Sequence, residues 1–149
     1  MIYPTAKISE RTKLEIGKDS FIGDFCLITV PYLKVGNRSQ INAFSRIVGR
    51  KRVIIGNDVV ISYGVTILTS TDTPKGAYMN DARPESERHI REGDVVIEDG
   101  AFIGANAIIM PNVTIHKRAV IGAGAYIDED VEPETTVIPW KHTYMKKRS

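Results

Sequence analysis

Cysteine and leucine are nearly missing from this chain. A single cysteine, Cys26, in 149 residues excludes an intramolecular disulfide framework and suits a reducing compartment. Leucine occurs four times, against 20 isoleucines and 13 valines. A helical domain would be richer in leucine and alanine, whereas β-branched side chains are stiff at χ1 and suit strands. No apolar run approaches the roughly 18 residues of a membrane-spanning helix. The opening Met1-Ile2-Tyr3-Pro4-Thr5 has neither the basic nor the apolar region of a secretory signal, so a cytoplasmic location is expected. Charge of one sign is lacking as well: Lys+Arg 20 against Asp+Glu 18 leaves +2. That balance gives no bulk argument for a nucleic-acid partner. The length fits one domain over residues 1–149, with a core that needs no metal or disulfide staple.

What is present is a six-residue period. Isoleucine recurs at Ile97, Ile103, Ile109, Ile115, Ile121 and Ile127. The same step links Ile16, Ile22 and Ile28, then Val35, Ile41 and Ile47, then Ile55, Ile61 and Ile67, with Ile2, Ile8 and Leu14 as an opening partial set. Four places after each aliphatic there is usually a small or β-branched residue, as at Ser20, Cys26, Ser39, Ser45, Val59, Ala101, Ala107 and Ala119, with Tyr32 and Lys51 as exceptions at the ends of three-unit sets. Glycine often follows the aliphatic directly, as at Gly17, Gly36, Gly104 and Gly122. Six is neither a helical period nor a long alternation; it fits a short strand plus a turn, repeated. Three such units make one turn of a coil, and stacked coils give three internal aliphatic ladders. The expectation is an all-β parallel β-helix of about five coils. Cys26 falls on an inward position and reads as core rather than as a nucleophile.

The extra residues before Val35, Ile55 and Ile97 all follow the third unit of a set, so they should project from one edge of the prism. The last of them, residues 68–94, is far longer than an ordinary connection and is expected to carry function. The run Arg46, Arg50, Lys51 and Arg52 is either a polyanion site or a solvated corner, the latter being the plainer reading.

The stretch IGANAIIMPNVTIHKRAVIGAGAYI, Ile103–Ile127, with the hexads before it, resembles the hexapeptide-repeat acyltransferases, most of all the sugar O- and N-acetyltransferases. The resemblance implies a left-handed β-helix, a homotrimer with sites between subunits, acetyl-CoA as co-substrate, no metal requirement, and transfer to an amino or hydroxyl group of a sugar or nucleotide-linked sugar. Small residues that line the pantetheine arm in that family match Gly104-Ala105 and Gly122-Ala123. Lys117 and Arg118, and in the tail (138–149) Lys141, Lys146, Lys147 and Arg148, are cations suited to phosphates of the cofactor. Trp140 either stacks on adenine or caps the last coil. A Thr-Lys pair of the family is replaced here by Asp128-Glu129.

The family's histidine at the root of the long loop, within a Thr-Ala-Thr-His-Pro-like run, is matched by Thr69-Ser70-Thr71-Asp72-Thr73-Pro74. Asp72 therefore stands where a base is expected. Three readings remain: Asp72 is the base, His89 on the loop's return leg replaces the lost histidine, or the chain binds without turnover. Asn80, Asp81, Arg83 and Glu85 are candidate acceptor contacts. A metal enzyme resembling γ-class carbonic anhydrase would need three converging histidines, and His89, His116 and His142 are widely separated. A non-catalytic trimeric scaffold is the other alternative.

Overall fold

The computed structural model describes residues 1–139; Trp140, Lys141 and the rest of the basic tail lie outside them. Nineteen short strands and one 3-10 turn, Glu85–Glu87, make up the described chain. Seventeen of the strands run in parallel ladders that form the three faces of a prism, and this is the all-β parallel β-helix read from the hexads.

The first face stacks Phe21–Ile22, Gln40–Ile41, Val60–Ile61, Phe102–Ile103, Val120–Ile121 and Thr136–Val137. The second stacks Lys7–Ile8, Leu27–Ile28, Arg46–Val48, Thr66–Leu68, Ile108–Ile109 and Tyr126–Ile127. The third runs from Lys13–Ile16 through Tyr32–Val35, Val53–Ile55 and Val95–Ile97 to Thr114–Ile115. Registers join like to like: Ile16 faces Val35, Val35 faces Ile55, Ile55 faces Ile97, and Ile97 faces Ile115. A lone hexad cannot hide its aliphatic from water, but each coil roofs the one below, and the ladders bury a continuous core. The small residues four places on are buried with them, Cys26 included, and burial pushes its thiol up, which suits packing and not nucleophilic chemistry.

Two sequence expectations need correction. The coil count is not five. Bridges from Ile2 to Ile22 and from Ile115 to Val131 give seven rungs on the first face and six on the other two. The step from Ile127 to Val131 is four residues rather than six, so the period breaks off before the fold does. Leu14 is not a ladder unit of its own. It shares the strand Lys13–Ile16, where Leu14 pairs with Leu33 and Ile16 with Val35.

Each prism edge has its own chemistry. The edge between the second and third faces takes every irregular step, including the long loop. The edge between the third and first faces is charged and tied by side chains that cap the coil beneath. Asn37 Oδ1 accepts the amide of Lys18, Asn57 Oδ1 that of Asn37, and Asp99 Oδ1 that of Asn57, each at 2.8 Å. These coils approach so closely that a Cβ on Gly36 would lie 2.4 Å from the carbonyl oxygen of Gly56, which is why glycine stands there. The edge between the first and second faces carries Phe25, Phe44, Tyr63, Ala105 and Ala123.

Replacing Ile103, fully buried in mid-ladder, by Ala is expected to cost roughly 2–5 kcal/mol. Asn57→Ala, which orphans one amide on a wet edge, should cost about 1 kcal/mol. Thermal or denaturant unfolding of the two variants checks the ranking.

Candidate active site

The chain leaves the second face after Leu68 and joins the third at Val95. Between them Ser70–Asp72 and Ile90–Glu92 form an antiparallel pair, with Ser70 opposite Glu92 and Asp72 opposite Ile90. Buried Thr69 starts the pair. Its hydroxyl donates to the Lys51 carbonyl at 3.1 Å and accepts the Lys51 amide at 3.0 Å. On the return leg Arg91 donates to the carbonyls of Pro111 at 3.0 Å and Asp128 at 2.7 Å, bolting the loop to the two coils above. The basic run of the preceding coil is taken up by loop carboxylates: Arg50 meets Glu85 at 2.5 Å, Lys51 meets Glu92 at 3.6 Å, and Arg52 meets Asp94 at 2.7 Å. Arg46 donates to the Thr66 hydroxyl at 3.1 Å. These cations anchor the loop, which leaves little of them for a polyanion. Each pair is exposed and contributes little alone; together they set where the loop root sits.

Asp72 and His89 are brought together at this root, through two residues the sequence reading left without a role. Arg88 grips Asp72 with two hydrogen bonds, 2.8 and 2.7 Å, and both side chains are largely covered, 10% and 20% exposed. The hydrogen bonds from the Arg88 guanidinium hold the Asp72 carboxyl below the usual carboxylate range, against the opposing push of partial desolvation. A carboxylate so held is a poorer base than the free one the sequence suggested. On the adjoining position the amide of Thr73 donates to the His89 carbonyl at 2.8 Å, and Thr73 Oγ1 shares a hydrogen bond of 2.6 Å with His89 Nδ1. The ring is oriented through Nδ1, which leaves Nε2 for other chemistry, and His89 is exposed. Neither Arg88 nor Thr73 was legible as a partner, because the loop has no period from which its register could be read.

The other candidates spread over the molecule. Asn80 caps its own turn, accepting the Ala82 amide at 2.9 Å. Arg83 pairs with Glu87 at 2.9 Å and lies 4.0 Å from the Tyr78 ring centroid, while Glu85 is held by Arg50. Asp81 is exposed on the same loop. Gly104, Ala105, Gly122 and Ala123 stack on the edge between the first and second faces, where the Gly124 amide donates to the Ala105 carbonyl at 2.8 Å. A Cβ on Gly104 would lie 2.4 Å from the Ala123 nitrogen, so this glycine is demanded by the coil above. One on Gly124 would meet nothing within 4 Å, so the edge is open outward there. Lys117 and Arg118 sit on the third, charged edge, with Arg118 3.5 Å from Glu134. His116 lies beside Glu98, 3.2 Å away. Asp128 and Glu129 line a cavity of about 330 Å³ at the open end of the coil stack. Trp140 and Lys141 fall outside the described residues. The candidate base, alanine edge and cation pair therefore occupy three different edges of one prism. Among the described residues no group of three or more His, Cys, Asp or Glu side chains is placed to hold a metal ion, and no helix is long and apolar enough to cross a membrane.

Comparison with known proteins adds the following. The family description "Bacterial transferase hexapeptide (six repeats)" matches residues 94–129. A dTDP-4-amino-4,6-dideoxy-D-glucose acyltransferase of Escherichia coli is 32% identical over 125 residues, 82% of this chain and 65% of that protein. A galactoside O-acetyltransferase of Lactococcus lactis subsp. lactis is 28% identical over 143 residues, 89% of this chain and 66% of that protein. The chain thus spans slightly under two thirds of the length of these curated relatives. Among solved structures, the N-acyltransferase AntD from Bacillus cereus, in complex with dTDP and 3-hydroxybutyryl-CoA, superimposes with a TM-score of 0.77 at 23% identity, covering 89% of this chain and 74% of that one. A hexapeptide-repeat acetyltransferase from Vibrio cholerae complexed with acetyl coenzyme A gives 0.69 at 24% identity, covering 82% and 64%. The shared architecture is the left-handed parallel β-helix.

The Asp72–Arg88 pair makes the loop root sensitive to acid. Because the folded-state pKa of Asp72 is depressed, the pair's contribution is complete above the unfolded carboxylate value of about 3.9 and is lost as pH falls through the lower folded value. Protection of amides 70–92 against hydrogen exchange, taken relative to the unstructured rate at each pH, is expected to fall below about pH 4 in the native chain. In Asp72→Asn the same amides should exchange faster already at neutral pH, with less change on acidification.

Proposed function

We propose that this chain, a member of the hexapeptide-repeat family, is an acyl-CoA-dependent acyltransferase that moves an acetyl or related acyl group onto an amino or hydroxyl group of a nucleotide-linked sugar. The observation that carries the reading is the anchored hairpin at the loop root, which presents an oriented imidazole beside a hexad coil of the transferase type. The sugar acyltransferases among the relatives, and the dTDP and acyl-CoA bound by AntD, support the substrate classes.

The reaction is acyl transfer by direct attack on a thioester. The acceptor nitrogen or oxygen forms a bond to the carbonyl carbon, and the tetrahedral oxyanion then collapses with loss of the CoA thiolate. The acceptor's proton must leave and the thiolate must gain one. We assign both transfers to His89, taking up the proton at Nε2 while Thr73 orients the ring through Nδ1. Asp72, closed by Arg88, becomes the positioning residue that fixes the strand before His89. Of the two candidates read from the sequence, His89 takes the role because Arg88 occupies both oxygens of Asp72, whereas the bond at Nδ1 leaves Nε2 of His89 open.

Acyl-CoA fits the alanine edge: Ala105 and Ala123 leave the backbone open to an extended arm, and Gly124 leaves room above it. Lys117 and Arg118 are reserved for phosphates of the cofactor. Since loop, alanine edge and cations lie on separate edges, a complete site requires neighbouring copies, and we propose a homotrimer of single-domain chains with sites between subunits. A cytoplasmic location follows from the acyl-CoA donor. No metal enters the scheme. A scaffold that binds without turnover is favoured only by the closure of Asp72.

The test is release of free CoA thiol from acetyl-CoA across a panel of nucleotide-linked amino sugars. His89→Ala should lower kcat by about 10²-fold or more with little change in KM for acetyl-CoA. Asp72→Asn should cost less and act on kcat through the hairpin. A dead Asp72→Asn beside a fully active His89→Ala would return the base to Asp72. Binding of acetyl-CoA with no turnover on any acceptor would favour the scaffold.

A further inference from the structure

We infer that the lower half of the alanine edge is a stacking subsite for the nucleobase of the acceptor, an inference that rests on the nucleotide-linked acceptor proposed above. Two residues on this edge stand in the wrong place for stability. The five coils from that of Phe25 to that of Gly124 turn this edge through a residue with a left-handed backbone. In the upper coils that residue is Gly64, Asn106 or Gly124, the types such a conformation favours. In the two coils below it is Phe25, with φ of 57°, and Phe44, with φ of 65°. A bulky side chain there carries backbone strain. Burial does not offset it, since Phe25 is 56% exposed and Phe44 60%. Their rings stack on one another with centroids 5.3 Å apart, and Tyr63, 60% exposed, follows in the next coil up.

Beside this row is a pocket of about 200 Å³ walled by Tyr3, Phe21 and Tyr63, with Asp24 and Asn42 among its lining. That volume is below the roughly 300–1,000 Å³ of a site for a whole ligand and suits one flat ring system of a larger molecule. Asp24 already accepts the Thr5 hydroxyl at 2.6 Å, and Asn42 spends its amide nitrogen on the Ile61 carbonyl at 2.9 Å. What both still offer is oxygen, an acceptor for ring N–H or amino donors of a base. A carboxylate repels phosphate, so the diphosphate must lie away from this pocket.

The Asn106 amide donates to the Tyr63 carbonyl at 2.9 Å, so the aromatic row ends one coil below Ala105. The loop leaves the helix in the coil of Tyr63. An acyl-CoA arm descending the alanines and a nucleotide sugar climbing from the aromatics would meet end to end at that level, with the sugar between base and thioester.

The experiment uses thymidine diphosphate as probe, titrated by equilibrium dialysis into the full chain saturated with acetyl-CoA, so that an adenine site cannot take it. Phe44→Asn and Tyr63→Ala should each weaken its binding about tenfold or more, the scale of base–aromatic stacking. KM for the nucleotide-linked acceptor should rise in step, and KM for acetyl-CoA should stay constant. Phe44→Asn should melt no lower than the native chain, because asparagine tolerates the left-handed turn, which separates a lost contact from a lost fold. Unchanged affinity in both variants overturns the subsite. So does a loss of affinity accompanied, in light scattering, by dissociation of the assembly, which would make the row an interface between copies. If thiol release fails with every acceptor while thymidine diphosphate affinity still follows the variants, the subsite stands and the acyltransferase reading falls. If turnover is intact and affinity ignores the variants, the reverse holds.

Discussion

Everything in this molecule depends on one geometric limit: a six-residue unit is too short to bury its own isoleucine. Burial needs the coil above and the coil below, about 4.8 Å away, in register on all three faces at once. Two of the three edges keep a constant step of six residues, because a change there would shift every later ladder. The edge between the second and third faces absorbs all the variation, from the shortened step at Val131 to the long excursion before Val95. The loop stands at the position where an insertion disturbs no ladder.

That placement decides what the loop can do. Rooted on a rigid coil, it inherits the coil's precision only where it is tied down, and the ties are specific. Thr69 is buried, Arg91 reaches two higher coils, and the carboxylates of Glu85, Glu92 and Asp94 meet the basic run beneath. The Asp72–Arg88 clamp then sets the hairpin, and the hairpin sets the imidazole. A change in Arg88 thus reaches His89 through the hairpin, since Asp72 lies opposite Ile90, the residue after His89.

The ladders were legible in the sequence because their period is enforced by packing at every rung. Ile16, Val35, Ile55, Ile97 and Ile115 face one another as the spacing implies. Legibility failed where packing relaxes: at the first coil, where Leu14 borrows the ladder spacing without being a rung, and at the last, where the step contracts. It failed more completely in the loop. Asp72 and His89 stood out as residue types, but the Arg88 guanidinium that closes on Asp72 lies 16 residues away across a hairpin that no periodicity announces.

The three edges also show how one repeat yields distinct surfaces. Inward positions admit only aliphatic or small side chains, so chemical variety is confined to turns. The charged edge spends its side chains on neighbouring coils, Asn on amide and Arg38 on Asp58 at 2.6 Å, and so strengthens the stack. The aromatic and alanine edge spends little on the stack: Phe25 and Phe44 accept backbone strain, and Ala105 and Ala123 present little more than a methyl group. The Phe25 and Phe44 rings stack on each other across two coils, 5.3 Å apart, yet both stay more than half exposed, so their packing offsets little of the strain. Groups in the turns therefore lie apart on one prism: the loop root, the alanine edge and the Lys117–Arg118 pair each hold a different edge.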